Sequence, residues 1–306
     1  MSDSLPSLKD MLRARASDLR VPLDVIEKDY GLSYLLAAIF GNEELASSLV
    51  FKGGTALRKA YFADYRFSVD LDFTANRGPR GRRMEAAIAG VARQTERTLL
   101  ERGPFRVVSS RRAEREPHPA AQEAFQVQIQ YPWHSRPMCT IKVEITTDEP
   151  VLLPAAHRPL LHAYEERLDA SLVCYSLEET VAEKLRTPLQ TLKRVKEGTW
   201  IRNCARDYYD LWYLTSMNTA GLSSDTVGSI LRRKCSVRDV MFDGLEDFFP
   251  SVVVTEAERQ WRSSLADLVR FLPEFKIATT ELRERIPSIL AGLDGVSDGC
   301  DRRSHP

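Results

Sequence analysis

Two short predicted strands separated by a Gly-Gly turn most strongly constrain the fold of this 306-residue chain. The predicted buried strand 48–51, Ser-Leu-Val-Phe, leads into the turn 52–55, which reads Lys52-Gly53-Gly54-Thr55. Paired glycines let a backbone turn sharply and approach a ligand closely. Residues 56–62 have the pattern of a short helix, whose first N–H groups would favour phosphate. The pattern predicts a strand, a tight turn and a helix that together can bind an anion, although many such turns bind nothing.

The second predicted strand, residues 68–74, carries two aspartates. Asp70 and Asp72 alternate with apolar residues, and the two-residue period of a strand puts both carboxylates on one face. Like charges this close repel each other unless a cation lies between them. An oxygen-ligated metal such as Mg²⁺ meets that need, and beside a phosphate-binding turn it suits nucleotidyl transfer. The alternative is a half-exposed strand with two surface aspartates.

A later strand, residues 138–147, offers a third carboxylate. Its alternation puts Lys142, Glu144 and Thr146 on one face. If this strand lies beside the aspartate strand, Glu144 completes a three-carboxylate metal site. The alternative is an amphipathic strand with a cross-strand Lys–Glu pair.

Two predicted helices carry the remaining candidates. Lys184 lies among apolar positions of a helix that opens near Ser176, and it could bind a triphosphate as a point charge. We expect Pro188 to end that helix near residue 187. On a helix over 203–215, Asp207 and Asp210 share one face. For these two aspartates the residues alone favour a surface salt bridge with Arg206.

The net charge is zero, yet positive charge is concentrated in two segments. Residues 77–115 hold eleven arginines and four glutamates, and residues 184–206 hold seven lysines or arginines and one glutamate. Such segregation suits RNA or nucleotide phosphates, and the arginine-rich segment 77–115 is a candidate RNA contact. The alternative is a set of solvated helix faces.

The composition and pattern predict an α+β protein with no membrane-spanning segment. We divide the chain into an N-terminal helical arm (1–48), a mixed-sheet core (49–170), a C-terminal helical domain (171–293) and a disordered tail (294–306). Five scattered cysteines without CxxC spacing support neither a zinc site nor a disulfide framework. With no secretory pattern at the start, the expected location is the cytoplasm.

Five separated segments resemble the AbiEii/AbiGii toxin family, which includes the MenT toxins of mycobacteria. They span roughly residues 22–215 in matching order. They are Glu-Lys-Asp-Tyr (27–30), Phe-Lys-Gly-Gly-Thr-Ala-Leu-Arg-Lys (51–59), Phe-Ser-Val-Asp-Leu-Asp-Phe (67–73), Glu-Glu-Thr-Val-Ala-Glu-Lys-Leu (178–185) and Arg-Asp-Tyr-Tyr-Asp-Leu (206–211).

The resemblance implies a nucleotidyltransferase-like fold and a toxin of a type IV toxin–antitoxin or abortive-infection system. Family members bind nucleoside triphosphates, and some add nucleotides to the tRNA 3′ end, which blocks aminoacylation and hence translation. The implied partners are an NTP, an RNA acceptor, in particular tRNA, and a cognate antitoxin. Transfer onto a protein, NTP binding without turnover and small-molecule modification remain alternatives.

Site residues follow from the motifs together with the resemblance. The predicted metal ligands for Mg²⁺ are Asp70, Asp72 and Glu144. Catalytic roles fall to Asp70, Asp72, Lys184 and either Asp207 or Asp210. The predicted nucleotide-binding residues are Lys52, Gly53, Gly54, Thr55, Arg58, Ser68 and Lys184.

Overall fold

The computed structural model describes residues 7–112, 121–217 and 222–291. The chain divides into two compact units, Met1–Ser176 with Ser263–Leu272, and Leu177–Arg262 with Pro273–Pro306. The four-part division made from the sequence stays a prediction. Its tail, 294–306, lies outside the described residues.

One seven-stranded sheet organises the first unit, in the order β3-β4-β5-β2-β1-β7-β6. The pairs β2–β5 and β1–β7 are parallel, and the other neighbours are antiparallel. The strands are β1 (Leu49–Lys52), β2 (Asp70–Ala75), β3 (Arg106–Arg111), β4 (Gln122–Gln130), β5 (Cys139–Thr146), β6 (Ala156–Pro159) and β7 (Ser171–Cys174).

Helices cover one face of this sheet. The helices of the first unit are α1 (Leu8–Leu19), α2 (Leu23–Phe40), α3 (Glu43–Ala46), α4 (Gly53–Ala56) and α5 (Arg82–Leu99). A π-helical turn, Leu57–Tyr61, continues α4. In α5, Met84, Ile88 and Val91 recur at helical spacing and are buried. They join a core with the apolar side chains of β4 and β5, such as Val127 and Ile141. Full burial of each large apolar side chain contributes about 1.5–3 kcal/mol.

The second unit is helical. Its helices are α6 (Leu177–Lys196), α7 (Ala205–Ser216), α8 (Ser224–Val237), α9 (Ser251–Leu265, whose last residues belong to the first unit) and α10 (Phe275–Leu290). The expectation that Pro188 ends α6 is wrong, because the helix continues to Lys196. Proline removes one backbone hydrogen bond there, but the buried Leu185 and Leu189 on either side keep this helix packed.

The mixed sheet and its helices confirm the predicted α+β class with a nucleotidyltransferase-like core. The strands predicted up to residue 147 lie within two residues of their observed bounds. The short strands β6 and β7 were not predicted, because four-residue strands give little alternation to detect. Among the described helices, none is both long and apolar enough to cross a membrane.

Candidate nucleotide and metal site

The Gly-Gly turn lies against the aspartate strand. Gly53 has φ +79°, a backbone conformation that residues with side chains rarely adopt. A Cβ at this position would lie 2.6 Å from Asp72 Oδ2. The Thr55 hydroxyl donates a hydrogen bond of 2.5 Å to the backbone oxygen of Asp70. Glycine at 53 therefore leaves room for the Asp72 carboxylate, and Thr55 ties the turn to β2.

A second close approach involves Gly54. A Cβ there would lie 3.0 Å from Arg66 Cζ, so this guanidinium packs directly on the turn. Arg66 also donates to the Phe67 carbonyl at 3.2 Å. Ser68 follows, half-buried, two residues before β2. The turn thus holds a buried cation beside the strand that carries the aspartates.

Sheet register fixes the neighbours of the two aspartates. Asp70 and Asp72 are half-buried, while Leu71 between them is buried in the core. Lys52 of β1 lies opposite Asp72, and residues paired across strands project to the same face. The Lys52 ammonium is 5.6 Å from the centroid of the Tyr175 ring. The predicted carboxylate pair and the predicted turn thus meet on one face of the sheet.

The third predicted carboxylate lies beside this pair. β5 runs parallel to β2, with Glu144 opposite Asp72 and Lys142 opposite Asp70. Glu144 Oε1 is 3.9 Å from the Arg112 guanidinium. In the described residues, no group of three or more His, Cys, Asp or Glu side chains is arranged to hold a metal ion. The adjacency that the third-ligand hypothesis required is present, and the role of Glu144 as a ligand stays a prediction.

The donor set nevertheless fits Mg²⁺. This ion is usually held by one or two carboxylates, with substrate phosphates and water completing its coordination. Asp70 and Asp72 supply two carboxylates on one face, and the Gly53 backbone leaves open the space that a Cβ would fill against Asp72.

The candidate site residues on the two predicted helices lie together in the second unit. Lys184 Nζ of α6 lies 2.7 Å from Asp207 Oδ1 and 2.8 Å from Asp210 Oδ2, both on α7. The Lys184 side chain is 13% exposed, whereas those of Asp207 and Asp210 are 3% and 0% exposed. The expected surface location of these carboxylates is therefore wrong, because both are buried. The structure joins all three predicted residues in one cluster.

Arg58 lies in a buried ion cluster that the sequence analysis missed. Its Nε donates to Asp29 Oδ1 at 2.8 Å, and Lys59 Nζ lies 2.8 Å from Asp29 Oδ2. Tyr164 donates its hydroxyl to the same Oδ2 at 2.9 Å. Arg58 also donates to the carbonyls of Tyr65 and Ala63. These contacts give Arg58 a structural role behind the Gly-Gly turn, and its predicted contact with nucleotide stays a prediction.

The electrostatics of this cluster follow from burial and pairing. Burial alone raises the pKa of Asp29, but the charges and hydrogen bonds of Lys59 and Arg58 outweigh it and hold the pKa well below its usual value. The available sequence signal was Asp29 in the segment 27–30, which resembles the family and precedes the apolar second half of helix α2. The partners of Asp29, at least 29 residues along the chain, could not be inferred from that pattern.

Comparison with known proteins places these groups in context. A family model described as nucleotidyl transferase AbiEii toxin, type IV TA system, matches residues 34–291. The match spans far more than half of the chain and contains both the Asp70–Asp72 pair and the Lys184 cluster, but it begins after Asp29. No curated protein matches the chain.

Proposed function

Because the chain belongs to the AbiEii family of nucleotidyl transferase toxins of type IV toxin–antitoxin systems, we propose that it transfers a nucleotide from an NTP to an RNA acceptor. The proposed acceptor is the 3′ end of tRNA, whose modification would stop aminoacylation and inhibit translation. One observation carries the proposal: Asp70 and Asp72 share a sheet face, and Asp72 lies against a turn whose positive φ at residue 53 favours glycine.

Each group has a proposed task. Backbone N–H groups of the turn 53–55 bind phosphate oxygens, and Lys52 and Arg66 add positive charge beside it. Asp70 and Asp72 hold Mg²⁺, which when bound polarises the α-phosphate and offsets developing charge. An acceptor hydroxyl forms the new bond to the α-phosphorus, the bond to the β-phosphate oxygen breaks, and pyrophosphate leaves as the hydroxyl proton is released.

The Lys184 cluster supports a second task. Its two carboxylates fix the ammonium by contacts of 2.7 and 2.8 Å, and the lysine remains partly exposed. The family resemblance assigns Lys184 to the triphosphate, and we retain that assignment as part of the proposal. Asp207 and Asp210 then act as positioning residues for the lysine.

Family membership also implies a cognate antitoxin as partner. We propose the cytoplasm as the setting, because NTPs and tRNA are available there. Four described cysteines, Cys139, Cys174, Cys204 and Cys235, are buried free thiols, which suits a reducing compartment.

The test is transfer of label from NTP. Purified protein is incubated with total tRNA, Mg²⁺ and each α-³²P-labelled NTP in turn, beside the double variant Asp70→Asn, Asp72→Asn. Label that enters tRNA with one NTP and is lost in the variant is the expected result. Label on a protein would replace the RNA acceptor with a protein one, and NTP binding without any labelled product would indicate a binding module.

A further inference from the structure

The face that carries Asp70 and Asp72 continues as a polar surface over the neighbouring strands. Asp70 pairs in register with Lys142 of β5, which pairs with Gln126 of β4, which pairs with Ser110 of β3. Paired residues project to the same side. At a strand spacing of about 4.8 Å, this row extends about 14 Å from the aspartates. A chain bound along it would lead directly to the predicted metal ligands.

Positive charge predominates on this surface. Arg106 and Lys142 are exposed, and Arg112 is half-buried beside Glu144. Arg112 donates its backbone N–H to Ala124 at 2.9 Å, which places it in line with β3. Between these cations, Gln126 and Gln128 present amide groups that both donate and accept. Over the described parts of β3 to β5, the face has three cations, one anion, one exposed apolar side chain (Val108, opposite Gln128) and no aromatic side chain.

Three arginines of segment 77–115 lie on the helix that covers the opposite side of the sheet. Arg82, Arg93 and Arg97 are exposed on α5. The buried side of that helix packs in the core with the apolar face of β3 and β4. The described arginines of this segment therefore lie on both sides of the sheet, so the whole segment does not form a single RNA contact.

We propose that the acceptor RNA docks on the face formed by Arg106, Arg112, Lys142, Gln126 and Gln128, called here the acceptor face. The cations pair with backbone phosphates, and the glutamine amides bond ribose hydroxyls and base edges. A strand held there places its 3′ hydroxyl toward Asp70. The inference rests on the proposed function and adds the surface that receives the acceptor.

The excess of cations over anions favours RNA over a protein partner on this face, where Val108 is a single exposed apolar side chain among polar ones. Without aromatic side chains, base stacking contributes little, so phosphate contacts supply most of the affinity and make it salt-dependent. Each phosphate contact adds about −0.7 to the slope of log K against log salt for single strands. Three contacts therefore predict a slope contribution of about −2.

The experiment measures binding of fluorescein-labelled total tRNA by anisotropy over a range of salt concentrations. The acceptor-face variant is Arg106→Ala, Arg112→Ala, Lys142→Ala. The matched variant, Arg82→Ala, Arg93→Ala, Arg97→Ala, removes the same charge from the opposite side. We expect the first variant to lose about 2 from the slope and to raise KM for tRNA more than it lowers kcat. The matched variant should stay close to wild type, and both should bind NTP with Mg²⁺ as wild type does, which shows an intact fold.

The outcomes separate this inference from the proposed function. Equal losses in both variants, or a loss confined to the α5 variant, would overturn the acceptor face while labelled tRNA still confirmed the transferase. Unchanged tRNA binding by the acceptor-face variant, with transfer onto a protein acceptor lost, would assign the face to a protein. If wild-type protein moves no label to tRNA, the proposed function fails and this inference fails with it.

Discussion

Two lysines, one in each compact unit, are held by buried aspartates, and they differ in access to solvent. Lys59 is 1% exposed, as is its partner Asp29. Burial lowers the pKa of Lys59 to about 8, despite the opposing charge of Asp29. Lys184 is 13% exposed and lies between two carboxylates, Asp207 and Asp210. Lysine and aspartate thus form a fully buried cluster around Lys59 and a partly exposed cluster around Lys184.

Exposure to solvent separates a structural ion cluster from one that can bind a ligand. The Lys59 cluster also fixes Arg58, which bonds the backbone at residues 63 and 65 on the way to β2. It stabilises the frame behind the Gly-Gly turn and has no surface on which to meet a ligand. The Lys184 cluster presents a positioned ammonium that an anion can approach. We therefore expect damage to the first cluster to reduce stability and damage to the second to reduce activity.

The largest effect is expected from Asp29→Ala. This change leaves Arg58 and Lys59 buried without their carboxylate, and the loss of one partner of a buried pair costs about 3–5 kcal/mol. Urea unfolding at neutral pH measures it. Should the variant not fold, Asp29→Asn, which keeps a hydrogen-bond acceptor, should show a smaller loss in the same direction. A loss under about 1 kcal/mol, as for an exposed pair, would remove the distinction between the clusters.

Lys184→Ala should affect catalysis more than folding. Loss of a preorganised contact to the charge that develops on phosphate lowers the transfer rate about 100-fold, equivalent to about 2.7 kcal/mol. Stability should fall by less than in Asp29→Ala, because the lysine that is removed is already 13% exposed and Asp207 keeps Arg202 at 3.5 Å. Rate and urea midpoint are measured on the same preparation. Wild-type transfer by a folded Lys184→Ala protein would contradict the assignment.

The variants Asp207→Asn and Asp210→Asn test which aspartate positions Lys184. Each keeps the shape of the side chain but weakens one contact to Lys184, so each should lower the transfer rate about tenfold, or about 1.4 kcal/mol. Asp210, which is fully buried, should lose more stability than Asp207, which also has the exposed Arg202 at 3.5 Å. Identical activity of one variant and wild type would identify the other aspartate as the functional one.

The smallest expected effect is that of Glu166 on the stability of the first unit at acid pH. Burial raises the pKa of Glu166, but His162 Nε2 at 3.3 Å from its Oε1 and the Tyr34 hydroxyl, which donates to Oε1 at 2.8 Å, lower the pKa to about 2. Because the folded pKa lies below its usual value of 4.5, the stabilisation is present above pH 4.5 and is lost as pH falls toward 2. Glu166→Gln should show a shallower decline of the urea midpoint over this range. Parallel declines would show that Glu166 does not contribute.

The sequence predicted correctly those features that depend on a few neighbouring residues. The alternation at 68–74 and the glycines at 53 and 54 identified the strand, the turn and the shared face. A two-residue period appears directly as alternating residue types, and a positive φ favours glycine. The sequence did not predict that β5 pairs with β2. That pairing was only the condition under which Glu144 would join the metal site. The Asp29 cluster depends on partners at least 29 residues away, so the sequence pattern assigns Arg58 to nucleotide and does not predict its buried bonds.

The central claim is that Asp70 and Asp72 form the metal-binding pair of a nucleotidyl transfer site. The most direct test is the rate of α-³²P transfer at increasing Mg²⁺ for wild type, Asp70→Asn and Asp72→Asn, with folding verified by circular dichroism. In both variants we expect a half-saturating Mg²⁺ concentration raised at least about tenfold and a maximal rate lowered at least about 100-fold. Folded variants that keep the wild-type rate and Mg²⁺ dependence would contradict this claim.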